Sequence, residues 1–223
     1  MKNKFEFSEA KEGFDNHIYQ SIPGYDSLFN LTVNLSHHWL NEDSLPVIDI
    51  GGSTGKLLNK VQLDTDIKIK NKFFNIDPTI FESSIDNNLV TFIHENAQDY
   101  LKTIRNKAQI FYSIFTLQFL GSYERQLLLS LMVDKLDDDG AIFIAEKFYM
   151  DTPEYQELYS VILKQMKREH FSDTDILDKD NKLLKHLKLK TENEFITEMN
   201  NAGLKCTKYW QSLHFNSYIC TKV

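Results

Sequence analysis

Pro46-Val47-Ile48-Asp49-Ile50-Gly51-Gly52-Ser53-Thr54-Gly55-Lys56 decides the fold, because a short β-branched apolar stretch runs directly into an Asp and three glycines. It reads as the first strand of a nucleotide-binding α/β sheet followed by its ligand turn. Glycine suits such a turn because a backbone without a Cβ takes φ > 0 and lets a ligand come to van der Waals distance at the mouth of the next helix. Spacing excludes two phosphate cradles. A dinucleotide fingerprint is G-x-G-x-x-G and this turn is G-G-x-x-G, while a P-loop is G-x-x-x-x-G-K-[ST] and here Gly51 and Lys56 stand too close together. The plainer alternative is a turn that only joins strand to helix.

A second acidic signal lies about 25 residues beyond the turn, at the distance where a Rossmann-like sheet places the carboxylate that binds a ribose diol. Lys72-Phe73-Phe74-Asn75-Ile76-Asp77 is another short apolar strand ending in an acid. A carboxylate suits two vicinal hydroxyls because it accepts from both at once. The alternative is that Asp77, before Pro78, only opens the next turn.

With 223 residues and no Pro/Gly/Ser-rich divider, the chain is long enough for one well-buried domain. A formal charge of -7 disfavours sequence-independent nucleic-acid binding, which demands a basic face. The C-terminal half does hold Lys164, Lys167, Arg168, Lys179, Lys182, Lys185, Lys188 and Lys190, which read as solvated helix faces. No apolar run is long enough to span a bilayer and the N-terminus lacks a signal-peptide core, so a cytoplasmic protein with no membrane partner is expected. Cys206 and Cys220 lack metal-type spacing and are expected to be reduced, facing each other on adjacent strands at most. His37-His38 and His170 complete no ligand set, and no metal is expected.

Helical periodicity over 14–40, broken at Pro23-Gly24, forms an N-terminal cap. Strand candidates follow at 47–50, 73–76, 89–93, 110–114 and 141–146, with helices at 55–61, 80–85, 97–104, 122–136, 153–168 and 192–201 among them. Such alternation means parallel strands with helical crossovers on both faces. After a helix stop at Asn201-Ala202-Gly203, strands at 205–211 and 217–222 are joined by Leu213-His214-Phe215-Asn216, a link short enough only for antiparallel neighbours.

The spacing of Asp49, Gly51 and Gly55, D-x-G-x-x-x-G, resembles the first motif of class I S-adenosylmethionine (SAM) methyltransferases. From about residue 14 to the C-terminus the chain is similar to one branch, the carboxy-S-adenosyl-L-methionine synthases, which prepare the donor for a wobble-uridine modification of tRNA. The likeness is carried by Ser21-Ile22-Pro23-Gly24-Tyr25, Phe115-Thr116-Leu117-Gln118-Phe119-Leu120, Glu124-Arg125-Gln126 and Glu146-Lys147-Phe148. It implies a Rossmann-like α/β class I methyltransferase fold: a mostly parallel seven-stranded sheet, a C-terminal antiparallel hairpin and an N-terminal helical cap. A single SAM-binding domain would span 1–223, with its cap at 1–44 and a helical insertion at 151–190 covering the substrate.

The same resemblance implies SAM or S-adenosylhomocysteine as cofactor and a homodimer, for which inserted helices at 153–168 and 176–189 offer Leu158, Val161, Ile162, Ile176, Leu183, Leu184 and Leu187 as a face to hide against the partner. Tyr25 would reach the cofactor from the cap, and Asp49, Gly51, Gly52, Ser53 and Gly55 would line its methionine part. Asp77 and Pro78 would take the ribose, Asn96 and Ala97 the adenine, and Ser113 and Ile114 would close the site after the fourth strand. Asn96 replaces an acidic family position, and its carbonyl still accepts from an amine. Two departures weigh more: Ile114 stands where the family has Asn, and Asp180 where it has an Arg that grips the extra carboxylate of carboxy-SAM. An Asp repels a carboxylate that Arg would hold by a charge-assisted fork.

The leading reading is therefore a SAM-dependent methyltransferase acting on a small-molecule substrate. Two alternatives are a carboxy-SAM synthase using SAM and prephenate, and a non-catalytic SAM-binding or partner protein. SAM is already a good electrophile, so the protein must align the acceptor and exclude water. Tyr25 for orientation, and Glu146 and His214 as bases, are the candidate catalytic groups. Their plainer roles are a packing residue, a rim ion pair with Lys147 and a surface turn.

Overall fold

A computed structural model describes residues 13–40, 45–64, 71–81 and 90–223. Strand β1 (Val47–Ile50) is buried along its whole length because parallel neighbours flank both of its edges and helices cover both faces. Side chains alternate between those faces. Ile48 and Ile50 pack with Leu101, Leu128, Met132 and Phe195, while Val47 packs with Phe29, Val33, Leu58 and Val61. Asp49, two residues beyond Val47, shares the second face.

The elements in chain order are α1 (Phe14–Ser21), α2 (Tyr25–Ser36), β1, α3 (Lys56–Leu63), β2 (Phe73–Ile76), β3 (Val90–Ile93), α4 (Ala97–Thr103) and β4 (Ala108–Ile114). They continue with α5 (Ser122–Lys135), β5 (Leu136–Tyr149), α6 (Pro153–Lys167), α7 (Asp173–Leu184), β6 (Lys190–Thr191), α8 (Glu192–Asn201), β7 (Leu204–Ser212) and β8 (Phe215–Lys222). The sheet runs β3-β2-β1-β4-β5-β8-β7, parallel through β5 and antiparallel at β8 and β7. The seven expected strands are thus present, and a two-residue β6 pairs with the end of β5 as an eighth. The expected helix at 80–85 falls mainly outside the described residues, as do 1–12 and 41–44 of the expected cap.

Several boundaries differ from the sequence reading for local reasons. Helix α7, expected over 176–189, begins earlier because the Ser172 hydroxyl accepts from the Asp175 amide at 3.2 Å, while the Asp175 carboxylate accepts from the Ser172 amide at 3.3 Å. The hairpin turn is Leu213-His214 alone, with Leu213 at φ 49° and Ser212 paired with Phe215. Cys206 and Cys220, expected to be reduced, are register partners joined by a disulfide, with Cα atoms 4.0 Å apart. Among the described residues no helix is long and apolar enough to cross a membrane.

Candidate functional site

All five parallel strands deliver their C-terminal ends to one rim, and β1 lies between β2 and β4, so the rim opens where the chain order reverses. The glycine turn occupies that point. Gly51 has φ 73°, and a Cβ there would stand 2.5 Å from Thr116 Oγ1, which donates to the Ile50 carbonyl at 2.9 Å. A Cβ on Gly52 would lie 2.5 Å from both Asp49 Oδ2 and Asn75 Oδ1. Glycine is required here because neighbouring side chains already fill the space. The Asn75 amide donates to the Ser53 carbonyl at 2.9 Å and fixes the turn from β2.

Above the turn lies a cavity of about 1520 Å³, larger than the roughly 300–1,000 Å³ of a typical small-molecule pocket and so roomy enough for two molecules. Its walls include Tyr25, Asp49, Gly51, Gly52, Ser53, Asp77, Pro78, Asn96 and Ile114, nine of the expected cofactor positions. Asp77 is already oriented: the Ser53 amide donates to Oδ2 at 3.2 Å and the Thr79 amide to Oδ1 at 2.9 Å. Each oxygen keeps a lone pair for a further donor. Burial raises the Asp77 pKa and these backbone bonds oppose the rise. Asp49 is 2% exposed, and burial, with Asp77 nearby, pushes its pKa up to about 7.

The three other expected cofactor residues do not reach the cavity wall. Gly55, at φ 74°, caps α3 with the Phe92 ring behind it. Ala97 is buried in the core where α4 begins. Ser113 is fully buried, and alternation along β4 turns it away from the face shared by Tyr112 and Ile114.

The expected bases are also displaced. Glu146 is 3% exposed and clamped by Arg125, whose Nη1 and Nη2 donate to its two oxygens at 2.6 and 3.0 Å. Its partner is thus Arg125 from α5 rather than Lys147, and it does not face the cavity. His214 is 1% exposed behind α6, with Nε2 3.3 Å from Gln156 Nε2 and 3.5 Å from Ser160 Oγ. Burial and the Lys147 charge lower its pKa to about 4, so it is neutral and a weak base. Tyr25 does face the cavity, among Tyr19, Phe29 and Phe115. Burial drives its phenol far above the usual range, so it is neutral.

The cavity also has in its wall lysines that the sequence reading assigned to solvated helix faces, together with Lys147, expected at the rim beside Glu146. Lys164 and Lys167 of α6, Lys179 of α7 and Lys147 at the end of β5 all line it. Lys167 pairs with Asp180 at 3.3 Å, so Asp180 is a neutralised neighbour and not a free charge. Lys179 donates to Ser21 Oγ at 3.0 Å and to His17 Nε2, joining the insertion to the cap. Burial and Lys167 lower the Lys179 pKa to about 8. Burial likewise lowers that of Lys147, which has no ion-pair partner among the described residues and stands over the Phe215 ring at 5.8 Å. Asp15, Phe115 and Gln118 were also missed. Phe115 holds φ 60°, while Gln118 accepts from the Lys147 amide at 2.8 Å. The Phe115–Leu120 hexapeptide was the available signal for both.

This strand order, with the glycine turn and the acid after β2, defines the class I methyltransferase fold. The solved O-methyltransferase family protein from Burkholderia thailandensis superposes with a TM-score of 0.64 at 14% identity, over 97% of this chain and 60% of that one. Human N-acetylserotonin methyltransferase in complex with SAM superposes with a TM-score of 0.57 at 12% identity, over 87% and 52%. The chain therefore spans about half the length of these structural neighbours. In sequence it is 24% identical over 212 residues to the carboxy-S-adenosyl-L-methionine synthase of Staphylococcus epidermidis, covering 92% of this chain and 90% of the relative. It is 26% identical to the synthase of the same name from Nautilia profundicola, covering 92% and 88%. No family model matches the chain.

Proposed function

We propose that the chain is a SAM-dependent transferase that moves a methyl group to a small acidic molecule. The observation that carries this reading is Asp77, preset by the Ser53 and Thr79 amides beside the glycine turn, where a ribose diol would add its two hydrogen bonds. Lys147, which has no ion-pair partner among the described residues, and the neighbouring lysines of the cavity wall suit an anionic acceptor. With Glu146 and His214 withdrawn from the cavity, transfer relies on alignment and exclusion of water, and the Tyr25 hydroxyl orients the reacting groups.

A second reading, synthesis of carboxy-SAM, is favoured by the same lysines. Asp180 is held by Lys167, which leaves Lys147 and Lys179 to take the carboxylate that an Arg would otherwise grip. Mass spectrometry of ligand released from denatured protein separates the two, after purification from a host that makes carboxy-SAM and after incubation with SAM and prephenate. Methyl transfer predicts SAM, S-adenosylhomocysteine or an empty site, and no carboxy-SAM. Stoichiometric carboxy-SAM would replace it with the second reading.

The Asp49 pKa gives a pH prediction. A carboxyl whose folded pKa is raised contributes stability at low pH that is lost as pH rises from its unfolded value of 3.8 through about 7. A cationic cofactor needs the ionised form, so SAM affinity should rise about tenfold between roughly pH 5.5 and 7.5. Asp49→Asn should flatten that profile in calorimetric titrations, and an unchanged slope would remove Asp49 from the account.

A homodimer remains part of the proposal on altered grounds. Ile176, expected at the interface, is buried within the chain, and Leu183 and Leu187 line the cavity. Helix α6 still presents Tyr155, Leu158 and Val161, each about half exposed, along one side. Light scattering should give twice the chain mass; a monomer at micromolar concentration would contradict this.

A further inference from the structure

The glycine-turn end of the cavity carries more negative charge than holding a ribose requires. Asp49 from β1 and Asp77 after β2 are joined there by Asp15, which α1 of the cap brings over the turn. Asp15 Oδ1 accepts from Thr54 Oγ1 at 3.0 Å, which pins the carboxylate to the glycine turn across 39 residues of sequence. Asp49 is the independent sign of a missing ligand. Asp49 is 2% exposed, lines the cavity, and accepts no hydrogen bond from a described residue. No described cation balances the group either. The nearest turn lysine, Lys56, places its ammonium over the Tyr19 ring, 4.6 Å from the centroid. Tyr19, Tyr25 and Phe29 form contiguous aromatic faces beside these acids, and aromatic faces also attract cations.

We propose that Asp15, Asp49 and the aromatic wall form a charge-reading site that favours the sulfonium form of the cofactor over the neutral thioether, with Asp15 of the cap as the specificity-determining residue. The inference rests on the SAM reading above and deepens it. SAM carries a sulfonium, an ammonium and a carboxylate, a net positive charge of one, whereas S-adenosylhomocysteine lacks the sulfonium and is neutral overall. An acidic end with low-dielectric walls therefore distinguishes them through charge alone. Loss of that charge on group transfer weakens the hold on the product, and the cap contact made by Asp15 loses its ligand partner at the same moment.

Calorimetric titration at about pH 7.5, above the raised pKa of Asp49, tests the proposal with four proteins: wild type, Asp15→Asn, Asp49→Asn and the control Asp64→Asn. Asn at 15 keeps an oxygen for Thr54, so the cap contact survives while the charge is lost. Asp64 lies outside the cavity walls and pairs with Lys60 at 2.6 Å, so its variant changes net charge equally at a remote place. Wild type should bind SAM about fivefold or more tightly than S-adenosylhomocysteine. Asp15→Asn should shrink that ratio at least about threefold while leaving the S-adenosylhomocysteine affinity within about twofold. Asp49→Asn should shrink the ratio too, and the control should leave it unchanged. A ratio that persists in Asp15→Asn, or equal weakening of both ligands, overturns the charge-reading role while leaving the cofactor reading intact. Failure of wild type to bind either ligand overturns both.

Discussion

Arg125→Ala is expected to lower the unfolding free energy by about 3–5 kcal/mol, because it leaves buried carboxylates without their counter-ion. Arg125 is 1% exposed and is the hub of a network: it chelates Glu146 on β5 and donates through Nε to Glu198 of α8 at 2.8 Å. Lys190 of β6 completes the network, donating to Glu198 at 2.8 Å. The network thus joins α5, β5, β6 and α8. The melting midpoint should fall by roughly 6–20 °C for a chain of this size. Arg125→Met combined with Glu146→Gln should cost less than the sum of the two single changes, since removing both charges avoids stranding either. A single Arg125→Ala that melts within about 2 °C of wild type would show that the pair is not the buried clamp described.

Asp77→Ala should weaken both SAM and S-adenosylhomocysteine by about 2–4 kcal/mol, or roughly 30- to 1,000-fold, if two charge-assisted bonds to the ribose are lost and water replaces part of them. Because the ribose is common to the two ligands, both should lose affinity, whereas Asp15→Asn should spare S-adenosylhomocysteine. Asp77 also anchors the Ser53 and Thr79 amides. Asp77→Asn keeps acceptor capacity for one of them and should fall between wild type and Asp77→Ala. Unchanged affinity in Asp77→Ala would remove the ribose assignment.

The sheet was readable in sequence because its signals are local. A β-branched run ending in glycines fixed β1, and the short link before the last strand fixed antiparallel pairing. What depends on partners distant in sequence was not readable. Glu146 resembled a rim base until α5 placed Arg125 against it. The lysines of α6 and α7 lie on amphipathic helices, and periodicity does not say whether the polar side meets water or a cavity. Ser172-x-x-Asp175 was a visible helix start, yet following the apolar positions from Ile176 placed the helix three residues late. The cysteine pairing turned on a bulge. From Ser212↔Phe215 to Trp210↔Ser217 the register runs regularly, and the shift between Lys208 and Trp210 then brings Cys206 opposite Cys220 instead of beside it.

The acidic and basic ends of one cavity were invisible for the same reason: Asp15, Asp49, Lys147, Lys167 and Lys179 come from α1, β1, β5, α6 and α7. In the proposed arrangement the cationic cofactor lies over the glycine turn and the acidic acceptor against the insertion. Titration of the full chain with SAM, followed by calorimetry, tests this arrangement most directly. The account predicts saturable binding of one SAM per chain, lost or strongly weakened in Asp77→Ala. No binding of SAM or S-adenosylhomocysteine up to about 1 mM, the range of a barely specific ligand, would contradict it.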